Sequence, residues 1–271
     1  MIWLISILSS LLGIAVLLLL VYLLVLVRPT RKVTPDPVLL CDYAHRGLHG
    51  RGIPENSLAA FDLACREGFG IELDVQLSSD GVVMVFHDHT LNRMTGVDKK
   101  LCELTAAELQ TLALAESDQT IPTFEQVLAL VDGRVPLLVE LKGEDTNVDL
   151  CEKVAAQLSA YKGIYCLESF NPLLIGKIGE YLPNAYRGLL YTNVCRDKKK
   201  NSILNLLLTV MALNVIARPD FIAYNEKDRE SFPVKLATSF YTTTKFVWTI
   251  RTEEGVEEAH RLGEYPIFER K

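Results

Sequence analysis

The period of the hydrophobic pattern changes repeatedly along the chain, and each change predicts a new element. After residue 38, apolar runs of four to eight residues alternate with longer segments in which apolar positions recur every three or four residues. The short runs are typical of strands and the longer segments of amphipathic helices. Candidate strands lie at Cys41–Ala44, Gly70–Val75, Val82–Phe86, Pro136–Leu141, Ile164–Glu168, Tyr186–Tyr191, Phe221–Tyr224, Phe246–Ile250 and Tyr265–Phe268.

The predicted helices fall between these strands. Ser57 and Thr123 stand where N-cap residues belong, because their side chains can accept a hydrogen bond from the first helical turn. Strand–helix alternation over about 240 residues indicates a parallel sheet, and this length favours a closed (β/α)8 TIM barrel. Candidate helices lie at Ser57–Glu67, Thr105–Ala113, Thr123–Val131, Val148–Ser159, Pro172–Tyr181, Ser202–Ile216, Ser231–Ser239 and Glu253–Leu262.

The N-terminal segment breaks this alternation. Residues 2 to 27 form a run of 26 without a charged side chain, rich in Leu, Val and Ile. A helix of that length spans roughly 39 Å, which is enough to cross a bilayer with some tilt. A cleaved signal peptide is the alternative, but no basic residue precedes the run and the run is longer than a typical signal core. The sequence therefore predicts one transmembrane anchor helix over residues 1–27.

The residues after this run predict a topology. Arg28, Arg31 and Lys32 follow the span, whereas no charged side chain precedes it, so the positive-inside rule places the rest of the chain in the cytoplasm. The six cysteines contain no CxxC pair, which favours reduced, buried thiols over a disulfide framework or a zinc site. We therefore predict a single-pass cell-membrane protein with a linker at residues 28–38 and a cytoplasmic domain at residues 39–271.

The overall charge argues against one class of partner. The chain has a formal net charge of −6 and no basic stripe, so nucleic acid is not an expected partner. Nothing in the sequence implies an obligate protein partner. The lipid bilayer is the partner that the anchor predicts.

The predicted helix at Ser202–Ile216 allows two interpretations. It is largely apolar, it is too short to span a bilayer comfortably, and it follows the basic run at residues 196–200. Asn201, Asn205 and Thr209 form a narrow polar stripe on a helical wheel. The segment is either an outer barrel helix with a wide buried face, or an interfacial helix that dips into the membrane with the lysines on anionic head groups.

Three acidic residues fall in otherwise apolar strands. Glu72 and Asp74 lie two apart in Ile71–Val75, so the period of a strand places them on one face. Glu140 follows four apolar residues in Pro136–Leu141. Carboxylates that face the inside of a barrel need compensation, and a hard divalent cation such as Ca²⁺ or Mg²⁺ takes oxygen ligands. An edge strand with a solvated acidic face is the alternative.

Two histidines follow candidate strands and are placed to act at the same end of the barrel. His45 comes directly after the first strand and His87 directly after the third, where catalytic side chains of a barrel collect. Imidazoles suit general acid–base work at neutral pH. Arg46 offers a fork of donors for a phosphate, and Lys142 can hold an anionic substrate oxygen or simply pair with Glu140.

Several short motifs occur in one order around these residues. They are His45-Arg46-Gly47, Pro54-Glu55-Asn56-Ser57, Ile71-Glu72-Leu73-Asp74-Val75, Asp80-Gly81, Val85-Phe86-His87-Asp88, Leu91-Asn92-Arg93 and Thr95-Gly96. This collinear set resembles the signature of the glycerophosphodiester phosphodiesterase family. A looser similarity extends through Glu140-Leu141-Lys142, Ser169-Phe170-Asn171 and Val247-Trp248-Thr249, and so covers nearly all of the chain after the anchor.

The resemblance implies a (β/α)8 barrel that needs a divalent metal, commonly Ca²⁺ or Mg²⁺, and releases glycerol 3-phosphate and an alcohol from a glycerophosphodiester. In such a mechanism the glycerol hydroxyl of the substrate attacks phosphorus, and water then opens the cyclic phosphate. The positions that match the family's functional residues are Glu72, Asp74 and Glu140 as metal ligands, Glu55 beside them, His45 and His87 as the acid–base pair, Arg46 and Lys142 on phosphate oxygens, and Trp248 in the pocket wall.

The chain departs from the family pattern mainly where the substrate pocket is expected. The segment between residues 193 and 218 is long, and the last strand lacks the usual Gly-Ile-Ile-Thr-Asp pattern. With the predicted anchor, these departures leave open a lysophospholipase D-like action on lysophospholipids or on lipids and polymers that contain glycerophosphate. A non-catalytic binding protein that keeps the pocket is a further alternative.

Overall fold

The computed structural model describes residues 2–29, 33–143, 148–200 and 202–270 of the 271-residue chain. Among these residues, eight parallel strands close into a barrel, because the first strand pairs with both the second and the last. The predicted (β/α)8 barrel is therefore confirmed. The strands are β1 (Tyr43–Ala44), β2 (Gly70–Leu77), β3 (Val83–Val85), β4 (Leu137–Leu141), β5 (Tyr165–Ser169), β6 (Tyr186–Tyr191), β7 (Phe221–Asn225), β8 (Thr244–Ile250) and β9 (Tyr265–Phe268).

One predicted strand lies outside the parallel ring. β3 pairs antiparallel with the last residues of β2, in a register that sets Val75 opposite Val85. The connection between them is a tight turn with Gly81 in the left-handed region at φ 75°, which is far too short for a parallel crossover. The sequence predicted this strand but not its antiparallel pairing. The hairpin instead extends β2 beyond the barrel and carries His87 to its mouth.

The helices begin and end largely where the pattern predicted. Ser57 Oγ accepts a hydrogen bond from the backbone N–H of Ala60, and Thr123 caps its helix through Gln126, so both predicted N-caps are confirmed. The helices are α1 (Ile2–Val21), α2 (Leu58–Glu67), α3 (Asn92–Thr95), α4 (Ala106–Leu109), α5 (Phe124–Val131), α6 (Asp149–Ala160), α7 (Pro172–Tyr181), α8 (Val194–Asp197), α9 (Ile203–Thr209), α10 (Asn214–Ala217), α11 (Phe232–Lys235) and α12 (Glu253–Arg261), with π-helical turns at Tyr22–Leu26 and Leu236–Phe240 and 3₁₀ turns at Pro37–Leu39, Leu101–Glu103 and Glu226–Asp228.

The barrel interior is filled by aromatic side chains. Tyr43, Phe221 and Phe246 are fully buried there, and the ring of Phe246 contacts the rings of the other two. Gly188 on β6 leaves room for this packing, since a Cβ at that position would lie 2.1 Å from the ring of Phe221. The middle of the barrel is therefore a packed core. All six cysteines are free, but only Cys151 and Cys166 of the six are buried, so the expectation of mostly buried thiols was wrong.

The predicted helix at Ser202–Ile216 is broken in two. Met211 adopts a left-handed conformation at φ 54° and separates α9 from α10. In α9 the polar Asn205 is buried and donates to Lys200 O, whereas Ile203 is 81% exposed and Leu204 57% exposed. The interpretation of the whole segment as a helix with a wide buried apolar face is therefore wrong for α9. Asn201, part of the predicted polar stripe, lies outside the described residues.

The C-terminal end of the N-terminal helix contacts the barrel domain. Residues 3–26 form one helix that is long and apolar enough to cross a membrane, a property that a signal sequence shares. Val27 is fully buried in the barrel's core, and Asn214 Nδ2 donates to Val27 O at 2.7 Å. Arg31 and Lys32, on which the predicted topology partly depends, lie outside the described residues.

Candidate active site

Three carboxylates converge at the mouth of the barrel. Glu72 and Asp74 lie on the same face of β2, and the register of β2 and β4 sets Asp74 beside Glu140. One carboxylate oxygen from each of the three lies within 4.8 Å of the others. The three residues are between 0% and 6% exposed. The sequence-predicted cluster is thus assembled and shielded from bulk water.

Burial sets the charge state of this cluster. Burial, together with the charges of Asp74 and Glu140, raises the pKa of Glu72 well above its usual value. Burial also raises the pKa of Glu140 to about 7, against the opposing charge of Lys142. At Asp74 the burial penalty is outweighed by Lys142, His87 and other cations, so its pKa is lowered. The cluster therefore needs a positive charge to ionise fully.

Lys142 supplies part of that charge. Its Nζ lies 2.8 Å from Asp74 Oδ1 and 2.7 Å from Glu140 Oε1. Although burial disfavours the ammonium, these two carboxylates raise the pKa of Lys142. Three buried carboxylates and no sulfur or imidazole among them form a donor set that fits a hard divalent cation. The cluster can therefore bind a metal ion, with Lys142 beside it.

Arg46 borders the cluster through both its backbone and its side chain. Its backbone N–H donates to Glu72 Oε2 at 2.7 Å, and its Nη1 donates to Glu55 Oε1 at 2.8 Å. The residue adopts a left-handed conformation at φ 55°, which turns the chain sharply after β1. The guanidinium is held at the edge of the cluster, with Nε 3.6 Å from Asp74 Oδ2.

His45 is held by a carboxylate that the sequence analysis did not select. Its Nδ1 lies 2.7 Å from Oε1 of Glu269, the residue after β9, and its Nε2 lies 4.0 Å from Glu72 Oε2. Burial lowers the pKa of His45. The hydrogen bond from His45 lowers the pKa of Glu269 to about 2. The sequence signal that could have identified Glu269 is its position as an ionisable residue directly after the last barrel strand.

His87 is held in the same way, by a carboxylate that binds its Nδ1. Its Nδ1 lies 2.6 Å from Asp88 Oδ1, and Arg93 Nε donates to Asp88 Oδ2 at 2.5 Å. Burial lowers the pKa of His87. Arg93 also donates to both oxygens of Glu55, so Glu55 bridges Arg93 and Arg46. Despite its burial, these hydrogen bonds and charges lower the pKa of Glu55.

A further buried carboxyl beside the three-acid cluster was also missed. Glu168 on β5 pairs in register with Glu140, is 1% exposed and lines the same cavity. Its Oε2 has no hydrogen-bond partner among the described residues, and burial raises its pKa well above the usual value. The signal was an acid in a buried strand, as at Glu140. Glu168 is the last residue of the predicted strand Ile164–Glu168.

Aromatic side chains form one wall of the site. Trp248 Nε1 donates to Ala223 O at 3.1 Å, and its ring meets Phe170 edge to face with centroids 5.6 Å apart. The predicted place of Trp248 in the pocket is thus observed. The cavity has a volume of about 280 Å³. It is lined by His45, Arg46, Glu72, His87, Glu140, Lys142, Glu168, Phe170, Leu190, Trp248, Thr249, Arg251, Ile267 and Glu269.

A second cavity lies at the other end of the barrel. Its volume is about 390 Å³, and Asp36, Leu39 and Tyr186 are among its lining residues. These residues stand before or at the start of β1 and β6, so the cavity is at the amino ends of the strands. Asp36 is the one ionisable carboxyl in its lining. The carboxyl-end cavity, with its acids and imidazoles, is therefore the candidate active site.

The comparisons with known proteins agree with this geometry. A model of the glycerophosphoryl diester phosphodiesterase family matches residues 45–268. A glycerophosphodiester phosphodiesterase of Bacillus altitudinis is 39% identical over 107 residues, which are 37% of this chain and 43% of that one. The chain matches between 43% and 65% of the length of the first curated relatives.

Solved structures show the same barrel. A glycerophosphodiester phosphodiesterase from Thermotoga maritima has a TM-score of 0.65 at 27% identity, over 84% of this chain and 94% of that one. An Oleispira antarctica phosphodiesterase, solved in complex with the product sn-glycerol-3-phosphate, has a TM-score of 0.70 at 23% identity, over 84% and 92% of the two chains. At that lower identity the likeness shows the fold alone.

Proposed function

The chain belongs to the glycerophosphoryl diester phosphodiesterase family, and on this basis we propose that it hydrolyses a glycerophosphodiester to glycerol 3-phosphate and an alcohol. The observation that carries the proposal is the cavity in which Glu72, Asp74 and Glu140 face one another beside His45 and His87. Acid–base groups, an oxygen-donor cluster and cationic side chains meet there within one pocket. This is the set of groups that a phosphodiester hydrolysis needs.

Glu72, Asp74 and Glu140 are the residues that would hold a divalent metal, Ca²⁺ or Mg²⁺. Such an ion, when bound, supplies a Lewis acid that offsets the charge on the phosphate oxygens. The burial of the three carboxylates supports this assignment, since Lys142 and Arg46 together balance only two of their three charges. Asn56 fixes the side chain of Asp74 through a hydrogen bond of 2.7 Å from its Nδ2 to Oδ2.

His45 and His87 are proposed to move the protons. A carboxylate only accepts hydrogen bonds, so in each neutral imidazole Nδ1 carries the hydrogen and Nε2 keeps a free lone pair. The histidine that is neutral takes the proton of the attacking hydroxyl at Nε2. The other histidine enters as the imidazolium and gives its Nε2 proton to the departing alcohol oxygen. Glu269 and Asp88 fix the ring orientation and stabilise the imidazolium that forms.

Arg46 and Lys142 are proposed to bind the phosphate. A phosphodiester carries one negative charge and gains another as phosphorus becomes pentacoordinate, and cations already in place favour that increase. Glu55 holds Arg46 in position through their hydrogen bond. Arg46 and Lys142 both line the cavity, which supports their role.

The test is a glycerol 3-phosphate release assay over a small panel of diesters with the purified full-length chain. We expect turnover with Ca²⁺ or Mg²⁺ and loss of turnover with a chelator. His45→Asn and His87→Asn should each lower turnover by about 10²–10⁴-fold. Release of product by both variants at the rate of the wild type would refute the assigned roles.

A lysophospholipase D-like action is a second candidate, and the pocket wall supports it. Phe170 is 39% exposed at the mouth and meets Trp248 edge to face, so an apolar substrate chain has a surface to lie on. Glycerophosphocholine and a lysophospholipid in detergent distinguish the two functions. Faster turnover of the lysophospholipid would favour the second.

We also propose that residues 1–27 stay attached as a membrane anchor, joined by the linker 28–38 to the catalytic domain 39–271. The burial of Val27 and its bond from Asn214 support a retained helix, because cleavage of a signal would remove a core residue. The basic residues after the span favour a cytoplasmic domain. An N-terminal tag should be recovered with the membrane fraction and on the full-length chain; its release would contradict the anchor.

A further inference from the structure

Large apolar side chains are exposed on two neighbouring segments of the catalytic domain. On α9, Ile203 is 81%, Leu204 57% and Leu206 55% exposed. Phe232 is 65% exposed on α11 and Phe240 is 69% exposed at the end of the π-helical turn that follows it. Soluble domains seldom leave adjoining apolar groups of this size in water. We call these five residues the apolar rim.

Both segments are tied to the same turn of the N-terminal helix. The Tyr22 hydroxyl donates to Val210 O, one residue after α9, at 3.0 Å. The Tyr241 hydroxyl donates to Leu23 O, and the ring of Phe240 packs edge to face on Tyr241 with centroids 4.9 Å apart. The apolar rim therefore lies on two sides of the point at which the helix leaves the domain.

The inverted polarity of α9 points to a non-aqueous surrounding. Asn205 is 8% exposed and donates to Lys200 O, while its apolar neighbours Leu204 and Leu206 point outward. A helix next to water would place these side chains the other way round. Amphipathic helices at a bilayer surface bury such an apolar face in the head-group region.

The charges next to the rim match a lipid surface. Lys199 and Lys200 are exposed directly before α9, and Arg28 is exposed directly after the helix end. Basic side chains beside an apolar surface favour anionic head groups. Tyr22 and Tyr241, which combine an aromatic ring with a hydroxyl, are residues that favour the membrane–water boundary.

The rim also adjoins the mouth of the barrel. Tyr191 is the last residue of β6, and its hydroxyl donates to Thr209 O at 3.0 Å. Leu190, its neighbour in β6, lines the active-site cavity. The end of α9 is therefore at the carboxyl end of the strands, where the cavity opens.

We propose that the apolar rim is a bilayer-contact surface, which seats the barrel on the membrane beside its anchor with the catalytic mouth next to the lipid head groups. The occupant is the bilayer that the proposed anchor crosses. Val210 and Tyr241, which adjoin the two rim segments, are hydrogen-bonded to the last turns of that helix. In this arrangement the linker at residues 28–38 does not separate the catalytic domain from the membrane surface. A lipid that carries a glycerophosphodiester head group reaches the cavity from the membrane surface.

The contact is tested by fluorescence quenching with the full-length chain in liposomes. In a Trp3→Phe background, Trp248 is the one remaining native indole, and Leu204→Trp adds a probe on the rim. Lipids brominated near the head group should quench this probe several-fold more than lipids brominated at the chain ends. The control is Glu125→Trp, an exposed site on α5, which lies against α2 on the far side of the barrel from α9.

Two results would overturn the contact. One is quenching of Leu204→Trp no greater than that of Glu125→Trp. The other is blue-shifted emission of Leu204→Trp without any quenching by brominated lipid, which would show that a second copy of the chain covers the rim. Quenching that depends on bromine depth supports the proposal, since only lipid carries the bromine.

The prediction that the rim gives a lipid substrate access to the cavity rests on the proposed function and is tested by a separate turnover assay. The triple variant Ile203→Gln, Leu204→Gln and Leu206→Gln should lower turnover of a lysophospholipid embedded in vesicles by about tenfold and leave turnover of soluble glycerophosphocholine unchanged. An equal effect on both substrates would refute the access role of the rim. If the wild type cleaves neither substrate, the proposed function fails, while the quenching result still decides the membrane contact.

Discussion

Each imidazole of the candidate site has one nitrogen bound and the other open. His45 is held by Glu269 and His87 by Asp88, in both cases through Nδ1. His45 and Glu269 are 224 positions apart in the chain, so only closure of the barrel brings them together. Both pairs leave Nε2 facing the cavity, and burial lowers both imidazole pKa values.

The first residue-scale prediction concerns Glu269→Gln. Because the folded pKa of about 2 lies below an unfolded value near 4.3, ionised Glu269 stabilises the protein above about pH 4.3, and this contribution is lost as the pH falls toward 2. Discounted for partial exposure, it amounts to about 1 kcal/mol. Unfolding with chelator present should show the variant less stable at pH 7, with the difference shrinking below about pH 4 and vanishing only near pH 2.

A difference that persists unchanged at pH 3 would contradict this account. The same substitution should also lower turnover at pH 7 by about 10²-fold, because the ring of His45 is no longer oriented. Arg251 binds Glu269 as well, at 2.9 Å. Arg251→Gln is the matched control, and it should retain most of the activity because it leaves the hydrogen bond between His45 and Glu269 intact.

The second residue-scale prediction concerns metal binding by the acid cluster. Ca²⁺ or Mg²⁺ at a hundred times its dissociation constant should stabilise the folded wild type by about 2.7 kcal/mol. Glu140→Gln removes one charged donor, so thermal unfolding of this variant should respond to the ion only at far higher concentrations. Glu125→Gln, at an exposed site on α5, should respond as the wild type does. Equal responses of all three chains would exclude Glu140 as a ligand.

At the scale of elements, strand order and side-chain size fit each other. β2 and β4 are buried on both faces. In β4 this gives a nearly continuous apolar run, whereas β2 carries Glu72, Asp74 and Gln76 at alternate positions. In β6, Gly188 has no side chain, and the ring of Phe221 from β7 fills that space. The missing Cβ is thus part of the interior packing.

The element-scale prediction is that Gly188→Ala destabilises the barrel. The added Cβ would lie 2.1 Å from the ring of Phe221, so chemical unfolding should show a loss of about 1–3 kcal/mol. In a Phe221→Leu background the same substitution should cost less, because the smaller side chain makes room. Equal losses in both backgrounds would show that this contact is not the cause.

At the scale of the whole molecule, the N-terminal helix and the barrel share a buried contact. Val27 is fully buried, and Asn214, which bonds to it, is 1% exposed. The helix end is thus part of the folded domain, although the sequence predicts a boundary at residue 27. This contact is what holds the apolar rim beside the N-terminal helix.

The whole-molecule prediction is a cycle around this contact. Asn214→Ala should lower the free energy of unfolding of the full-length chain by about 1–3 kcal/mol, because it leaves the buried carbonyl of Val27 without its partner. In a chain that lacks residues 1–27 the same substitution should cost much less, since the partner is already gone. Asn184→Ala, at an exposed site, should be neutral in both chains. Equal losses from Asn214→Ala would deny the coupling.

The sequence alone predicted the barrel and the groups gathered at its mouth. Glu72 and Asp74 share a face because a strand has a period of two, and Glu140 and His45 join them because the carboxyl ends of parallel strands meet at one end. These relations depend only on local pattern and on the rule that closes the fold. The functional roles that the family resemblance implies for these residues stay predictions.

Only the tertiary structure decided which distant groups meet and which way each side chain points. The bond between Glu269 and His45, the place of Glu168 beside Glu140 and the antiparallel pairing of β3 depend on register and closure. The outward apolar face of α9 depends on what packs beneath it. A local pattern states that a residue is apolar or charged, whereas its surroundings come from chain segments that lie far away in sequence.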